Sequence, residues 1–513
     1  MVYCGVPSKA CAYCRGKRTK CDQAVPSCGQ CRRAHRVCPG YRDEQSLAFR
    51  DETKQVVKKV QAAKAVKSNT APHGRDIING FDSVNEPESA LVSIDRSASS
   101  SPWSLSMPLE EQASCFFFHH FVSDDPSTPI GYAKFLPKIY NFDSAYGSLA
   151  GVVTSIGLAG LSNLKSSPET MIIARKKHTA VLRSLNSSLQ DPGTAATDAT
   201  FLTVLLLGLF EMVTCTSPQS LRSWTNHIHG AKAIARIRGR EQLQSPLGRQ
   251  IFSYLRNQLV IDCIQRRLVV PPEIIEWSEY ASELETDPGR VRESAMFPIL
   301  TRLCALRAMR KSETYNDPAV LTIAKSIDAD LVEWVDAIPP WLRYTTKTSD
   351  DTENVLSGFY HVYPNIWIVG GYNLYRCACI LMHELIVHWL DRSSVDDLQQ
   401  RQSSEAILAK LSAEICASVP CIFGQIAKNG PPNVSYSPKA ATGTWVLWPL
   451  YLAATMNSAT PTTRAWVITQ LDRLGRIMGL QQATTLAAVL RTQKELTAWD
   501  RFGTRIDEEV NEW

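Results

Sequence analysis

Six cysteines, Cys11, Cys14, Cys21, Cys28, Cys31 and Cys38, stand at the spacing C-x2-C-x6-C-x6-C-x2-C-x6-C in a chain of 513 residues. Thiols at this density bind soft metals or pair as disulfides. The pattern is two copies of one half-unit joined by a short loop. A C-x2-C pair puts two sulfurs on one side of a tight turn, where a single tetrahedral metal can take both. The third cysteine of each half follows after roughly one helical turn. Six thiolates fall two short of filling two separate four-ligand sites. The deficit closes if two sulfurs bridge both metals, giving two Zn²⁺ in one compact cluster of net charge about −2, which neighbouring Arg and Lys offset. The disulfide alternative belongs to secreted miniproteins. Met1–Ala10 has no apolar core of a signal peptide, and the remaining cysteines show no paired framework.

The intervening residues are cationic: Arg15, Lys17, Arg18 and Lys20 in the first half, Arg32, Arg33 and Arg36 in the second. Residues 1–42 carry nine Lys and Arg against one acidic residue, whereas the whole chain carries 55 against 50. The net charge of +5 is therefore concentrated at one end. Metal-held cysteines with an interleaved cationic face suit a small phosphate-docking module.

Residues 11–38 resemble the DNA-binding domain of fungal zinc cluster (Zn2Cys6) transcription factors. The likeness rests on the cysteine spacing, the run Cys14-Arg15-x-Lys17-Arg18-x-Lys20-Cys21-Asp22 and the loop proline Pro26. It implies two short helices around two structural zinc ions, with Cys11 and Cys28 as the bridging ligands. It also implies that the first helix enters the major groove of double-stranded DNA and that Lys17 and Arg18 read a CGG triplet. A cationic side chain can donate to both guanine acceptors, O6 and N7. Arg15, Lys20, Arg32 and Arg33 are expected on phosphates.

After Cys38 the chain turns at Pro39-Gly40-Tyr41. Residues 43–67 read as a charged helix, with Val56, Val57, Val60 and Ala63 on one side and Lys54, Lys58, Lys59 and Lys64 around it. Members of the family often form homodimers through this region, but the apolar register here lasts barely two heptads, short of a coiled coil. A solvated basic helix near DNA is the plainer expectation. Residues 68–108 are rich in Ser, Pro, Asn and Asp and read as a disordered linker.

From Leu109 to the end, helical periodicity dominates, and the expectation is a large all-α regulatory domain over 109–513. Hydrophobic residues make up 44% and charged residues 20% of the chain, enough for a substantial core. Apolar residues recur at helical spacing over 168–190, and the run Phe201–Val213 is hydrophobic all round and so central. Asp198 is read as the cap of that helix. Further helical segments are expected over 219–238, 245–267, 290–310, 318–337, 354–391, 401–427, 443–457, 462–478 and 481–500. The longest apolar run, Phe201–Phe210, is too short to span a bilayer, and no membrane partner is expected. This body is similar to the fungal-specific regulatory domain that follows many zinc clusters, through Asp198, Glu211, Trp224-x-x-His227-x-x-Gly230-Ala231, Arg238-Gly239, Trp448-Pro449-Leu450-Tyr451 and Met478-Gly479-Leu480.

Enzymatic motifs fare poorly. His383-Glu384-x-x-x-His388 looks like a zinc-protease helix, but histidines five apart lie about 140° apart around the axis and face different ways. No nucleotide-binding or nucleophile-elbow motif occurs in a suitable setting. The reading is a nuclear, non-enzymatic transcription regulator of RNA polymerase II type that works with the transcription machinery or co-regulators. The competing class is a zinc-stabilised, corepressor-like interaction module that does not touch DNA.

Overall fold

A computed structural model describes residues 10–17, 19–24, 26–39, 107–122, 135–140, 147–217, 220–309, 318–364, 366, 368–392, 397–424, 439–456 and 459–492. The chain divides into two units, Met1–Ser101 and Pro102–Trp513. The basic helix expected over 43–67 lies outside the described residues. So does the linker expected over 68–108, except for Met107 and Pro108.

Two short helices, α1 (Ala12–Gly16) and α2 (Gly29–Arg33), make up the regular structure described in the first unit. Its core is sulfur: Cys11, Cys14, Cys28 and Cys31 are fully buried, with Ala10 and Tyr13 packed beside them.

The second unit is helical. It begins with α3 (Leu109–Phe121), α4 (Leu136–Ile139), α5 (Ser148–Lys165), α6 (Pro168–Gln190), α7 (Pro192–Ala195), α8 (Asp198–Thr214) and α9 (Ser220–Arg238). Next come α10 (Pro246–Arg266), α11 (Pro272–Glu283), α12 (Pro288–Met309) and α13 (Pro318–Asp336). A hairpin, β1 (Thr345–Thr348) and β2 (Phe359–Val362), precedes α14 (Ile368–Arg392), α15 (Leu398–Ile422), α16 (Ala440–Thr455), α17 (Pro461–Met478) and α18 (Gln481–Arg491). Several helix starts share one device. Ser167, Ser245 and Thr460 each precede a proline and accept a hydrogen bond from the backbone N–H three residues on. The side chain satisfies an orphan donor, and the proline needs none.

The core centres on α5 and α8, both buried nearly all round. No apolar stripe singles out α5 in the sequence, because small residues interrupt it. Those residues let other helices approach closely. A Cβ at Gly157 would overlap the carbonyl oxygen of Ala113 on α3. Backbone cannot rotate away, so Gly157→Ala should destabilise the body by about 1–3 kcal/mol despite its better helix propensity. At Gly371 an added Cβ meets nothing within 4 Å, and Gly371→Ala should stabilise by about 0.5 kcal/mol. Urea midpoints of the two variants should move in opposite directions; movement of both the same way would refute the close-approach argument.

Of the scattered residues that carry the body's resemblance, those from Asp198 to Arg238 meet along α8 and α9, whereas Trp448 and Tyr451 lie on α16 and Met478 ends α17. Arg238 Nη2 donates to Asp198 Oδ1 at 2.6 Å, and His227 Nε2 lies 3.5 Å from Glu211 Oε1. Between these pairs, Gly208 admits the Trp224 ring. Asp198 is not the cap of α8. Thr197 is, its hydroxyl accepting from the Thr200 N–H, while Asp198 opens the helix and spends its carboxylate on Arg238. At the far end, Asn163 Nδ2 donates to the carbonyls of Val213 (2.8 Å) and Gly479 (2.7 Å), tying the ends of α8 and α17 to α5. Gly479 takes φ +69, the left-handed value that glycine tolerates at a helix end.

The expected helix over 354–391 begins only at Ile368. Phe359–Val362 instead pairs antiparallel with Thr345–Thr348, Thr345 opposite Val362. The threonine-rich β1 has no apolar alternation to mark it, and Pro364 disfavours helix in the residue before it. The last described helix runs Gln481–Arg491, and residues 493–500 of the segment expected over 481–500 lie outside the described residues.

The hairpin seats a buried polar network. Arg376 on α14 is fully buried, donating to Tyr363 Oη and Asn373 Oδ1 (2.9 Å each) and to Glu414 Oε2 (3.2 Å). Its Nη2 lies 3.3 Å from His361 Nδ1, which must therefore accept. Burial first, and the Arg376 charge second, hold His361 down at about 3. The unfolded chain takes this proton near pH 6.5 and the folded chain resists it, so the stability it contributes is full above that value and drains as pH falls. Lowering the pH from about 6.5 to 4.5 should cost on the order of 2–3 kcal/mol through this group. His361→Gln, which still accepts from Arg376 but does not titrate, should flatten that part of the denaturation-versus-pH curve. An unaltered curve would contradict it.

Candidate metal centre and nucleic-acid interface

The two halves of the cysteine unit fold alike because each repeats the same short-range bonds. The Cys14 N–H points at Cys11 Sγ and the Cys31 N–H at Cys28 Sγ, both at 3.4 Å. Further on, the Thr19 N–H donates to the Cys14 carbonyl (2.9 Å) and the Arg36 N–H to that of Cys31 (3.1 Å). These turns carry Cys21 and Cys38 back towards their own pairs.

Asp22, which closes the quoted motif run without a role assigned to it, joins the halves. Both of its oxygens accept from the Gly29 N–H, at 3.0 and 2.9 Å, and this bond first of all holds its carboxyl below the usual range. Its signal in the sequence is an acid directly after the third cysteine. Arg36 lies over the Tyr13 ring, 3.9 Å from its centroid, a second tie between the halves.

The six sulfurs fall into two groups of four: Cys11, Cys14, Cys21 and Cys28, and Cys11, Cys28, Cys31 and Cys38. Within each group the sulfurs lie within 4.8 Å of one another, and Cys11 and Cys28 belong to both. Cys11 Sγ lies 3.8 Å from Cys28 Sγ and 3.9 Å from Cys31 Sγ, and Cys14 Sγ lies 3.8 Å from Cys28 Sγ. A zinc tetrahedron with bonds of about 2.3 Å to sulfur has edges of about 3.8 Å. The donor set therefore fits zinc. As thiols, Cys14 and Cys31 resist ionisation: burial first of all pushes both up, and with the neighbouring sulfurs of Cys11 and Cys28 it takes Cys14 to about 12. A bound cation is what would let such a cluster exist as thiolates.

Around the sulfur core, Lys17, Lys20, Arg32, Arg33 and Arg36 are exposed. Arg32 and Arg33 sit in the last turn of α2, and Arg33 Nε reaches back to the Gly29 carbonyl at 3.4 Å. Arg15 lies on α1, whereas Arg18 falls outside the described residues. The structure thus brings the six cysteines together and leaves cations of both halves facing solvent.

Among the described residues, the two cysteine groups are the donor clusters close enough to share a metal ion. His383 is held otherwise, its ring buried between Ser404 Oγ and Asp328 Oδ1, each at 3.2 Å. Of the other thiols described, Cys215, Cys263, Cys304, Cys377, Cys379 and Cys416 are buried, and burial raises their pKa values, whereas Cys421 is half-buried and Cys115 exposed. No described helix is long and apolar enough to cross a membrane.

Comparison with known proteins bears on both units. Residues 144–493 match the model of the fungal specific transcription factor domain, and residues 9–47 match that of the fungal Zn(2)-Cys(6) binuclear cluster domain. Transcription factor dbaG of Emericella nidulans is 23% identical over 417 residues, covering 76% of this chain and 94% of the relative. Uncharacterized protein AN5342 of the same organism is 23% identical over 139 residues, 27% of this chain and 29% of the relative. No solved structure matches the chain significantly.

Proposed function

The chain belongs to the fungal transcription factors that join a Zn(2)-Cys(6) cluster to a fungal specific regulatory domain, and from that premise we propose that it reads CGG-containing sites in nuclear DNA. As a zinc-binding, DNA-binding transcription regulator it needs a small rigid head. On this reading, Cys11, Cys14, Cys21, Cys28, Cys31 and Cys38 hold two structural zinc ions, with Cys11 and Cys28 bridging. Residues 1–42 form the head, 43–67 a basic helix that weakly favours a homodimer, 68–108 a linker, and 109–513 the regulatory body. The observation that carries it is the pair of sulfur groups sharing Cys11 and Cys28 beneath an exposed cationic face.

Lys17 and Arg18 are assigned to guanine edges. Arg15, Lys20, Arg32 and Arg33 are assigned to phosphates. Lys17→Ala should weaken CGG binding by ~1–3 kcal/mol and relax base preference, whereas Arg33→Ala should weaken all duplexes alike and lower the salt slope by about one. Titrations on CGG and scrambled duplexes distinguish the two roles; equal losses on both duplexes for Lys17→Ala would remove it from base reading. The wider role we assign is pathway-specific control of a metabolic or secondary-metabolite gene cluster through RNA polymerase II. Its similarity to a transcription factor along most of both chains supports that reading. Chromatin occupancy confined to genes of one pathway is the expected result; occupancy scattered across unrelated genes would contradict it.

A further inference from the structure

The second unit carries a cleft of about 100 Å³ between α10, the end of α11 and the start of α12. One face of α10 supplies Arg249, Phe252, Ser253 and Arg256 at helical spacing, and α12 supplies Arg290 and Ser294 one turn apart. Charge in the lining is unbalanced: three guanidinium groups against the single carboxylate of Glu285. Glu285 is engaged locally, its Oε1 accepting from the Thr286 and Asp287 N–H groups at 3.1 Å each.

The arginines are held in place. Arg256 is 3% exposed, donates to Ser294 Oγ and Ser253 Oγ at 3.2 Å each, and lies over the Phe297 ring. Arg249 Nη1 donates to the Leu243 carbonyl at 3.0 Å, while its Nε is buried with no acceptor among the described residues. A buried donor without an acceptor is costly, and here it belongs to a residue lining a cleft. Phe135, Phe252 and Tyr254 give the same cleft an apolar side.

We propose that this cleft binds a small organic carboxylate with a short apolar or aromatic body. A guanidinium fork matches a carboxylate in geometry and charge, and two forks from different helices fix its orientation. At about 100 Å³ the cleft is smaller than the cavity of about 150 Å³ that encloses benzene, but it opens to solvent, so it takes the carboxylate end and leaves part of the body outside. The site is separate from the residues assigned to DNA, so its failure would leave the DNA-reading proposal intact.

Thermal unfolding of the full-length, zinc-loaded chain tests it, with sodium benzoate as probe and benzamide, inorganic phosphate and sodium chloride as comparisons at one ionic strength. Benzoate should raise the unfolding temperature saturably, on the order of 3 °C at high occupancy, and benzamide should not. Arg249→Gln and Arg290→Gln are both at partly exposed positions, and their unliganded melts report folding. Each should weaken the benzoate response at least about tenfold, as loss of one charge-assisted pair predicts. An equal response to benzamide, a larger one to phosphate, no saturable rise, or full response in both variants would each overturn the assignment.

Discussion

Cys11→Ala should strip both metal ions from the cysteine unit and abolish DNA binding, whereas Cys38→Ala should leave one ion in place. The difference follows from the sharing of sulfurs. Cys11 belongs to both groups of four, so its loss leaves each with three donors. Cys38 belongs to one group, and its removal leaves Cys11, Cys14, Cys21 and Cys28 complete. The effect is large because, among the described residues of the unit, those fully buried are cysteines and supply almost no aliphatic core. Structural zinc supplies about 10–16 kcal/mol in small domains, and without it they unfold. Native mass spectrometry should count two ions in the parent chain, one in Cys38→Ala and none in Cys11→Ala at limiting zinc. Two ions retained by Cys11→Ala would end the bridging assignment.

The second large effect is expected in the body. Arg376→Ala should cost about 3–5 kcal/mol, because it empties a buried site and strands the polar groups around it. Burial works against the Arg376 charge, but Tyr363 and Glu414 more than compensate, so the guanidinium remains protonated. Its removal leaves the Tyr363 hydroxyl, the Asn373 carbonyl oxygen and the Glu414 carboxylate each short of a donor. Glu414→Gln keeps an acceptor and should cost less, about 1–2 kcal/mol. Chemical denaturation followed by far-UV dichroism would measure both. A loss below about 1 kcal/mol for Arg376→Ala would show that the network relaxes without cost, against expectation for a fully buried ion.

The zinc head was legible because its chemistry is local. Ligand spacing of two and six residues is a statement about turns, and the turns recur with the same N–H to sulfur bonds in each half. Asp22 stands in the motif, but its role is not legible there, because its partner, Gly29, lies across the loop and no spacing rule connects an acid to a backbone N–H. In the body, α6 was readable to the residue over 168–190, bounded by a serine-proline start and an Asp-Pro-Gly end. Helix α5 and the hairpin were not. The burial of α5 depends on glycines that admit Ala113 and Phe116, a long-range fit invisible along the chain. The hairpin is held by Arg376 on a later helix, which reaches His361 and the adjoining Tyr363, so its strand character comes from tertiary partners and not from alternation. The residues behind the family likeness were found individually, but their pairing as Asp198 with Arg238 and Glu211 with His227 emerged only in three dimensions.

The most direct test of the central claim is fluorescence anisotropy of the full-length, zinc-loaded chain at one fixed physiological salt concentration. The duplexes should carry CGG once, CGG twice at varied spacing, or a scrambled sequence. Preference for CGG, lost on chelation and restored by added zinc, is the predicted result, and the best spacing would report how two heads are placed. Equal, salt-sensitive binding to every duplex by the zinc-loaded chain would contradict it and leave a basic zinc module whose partners are proteins.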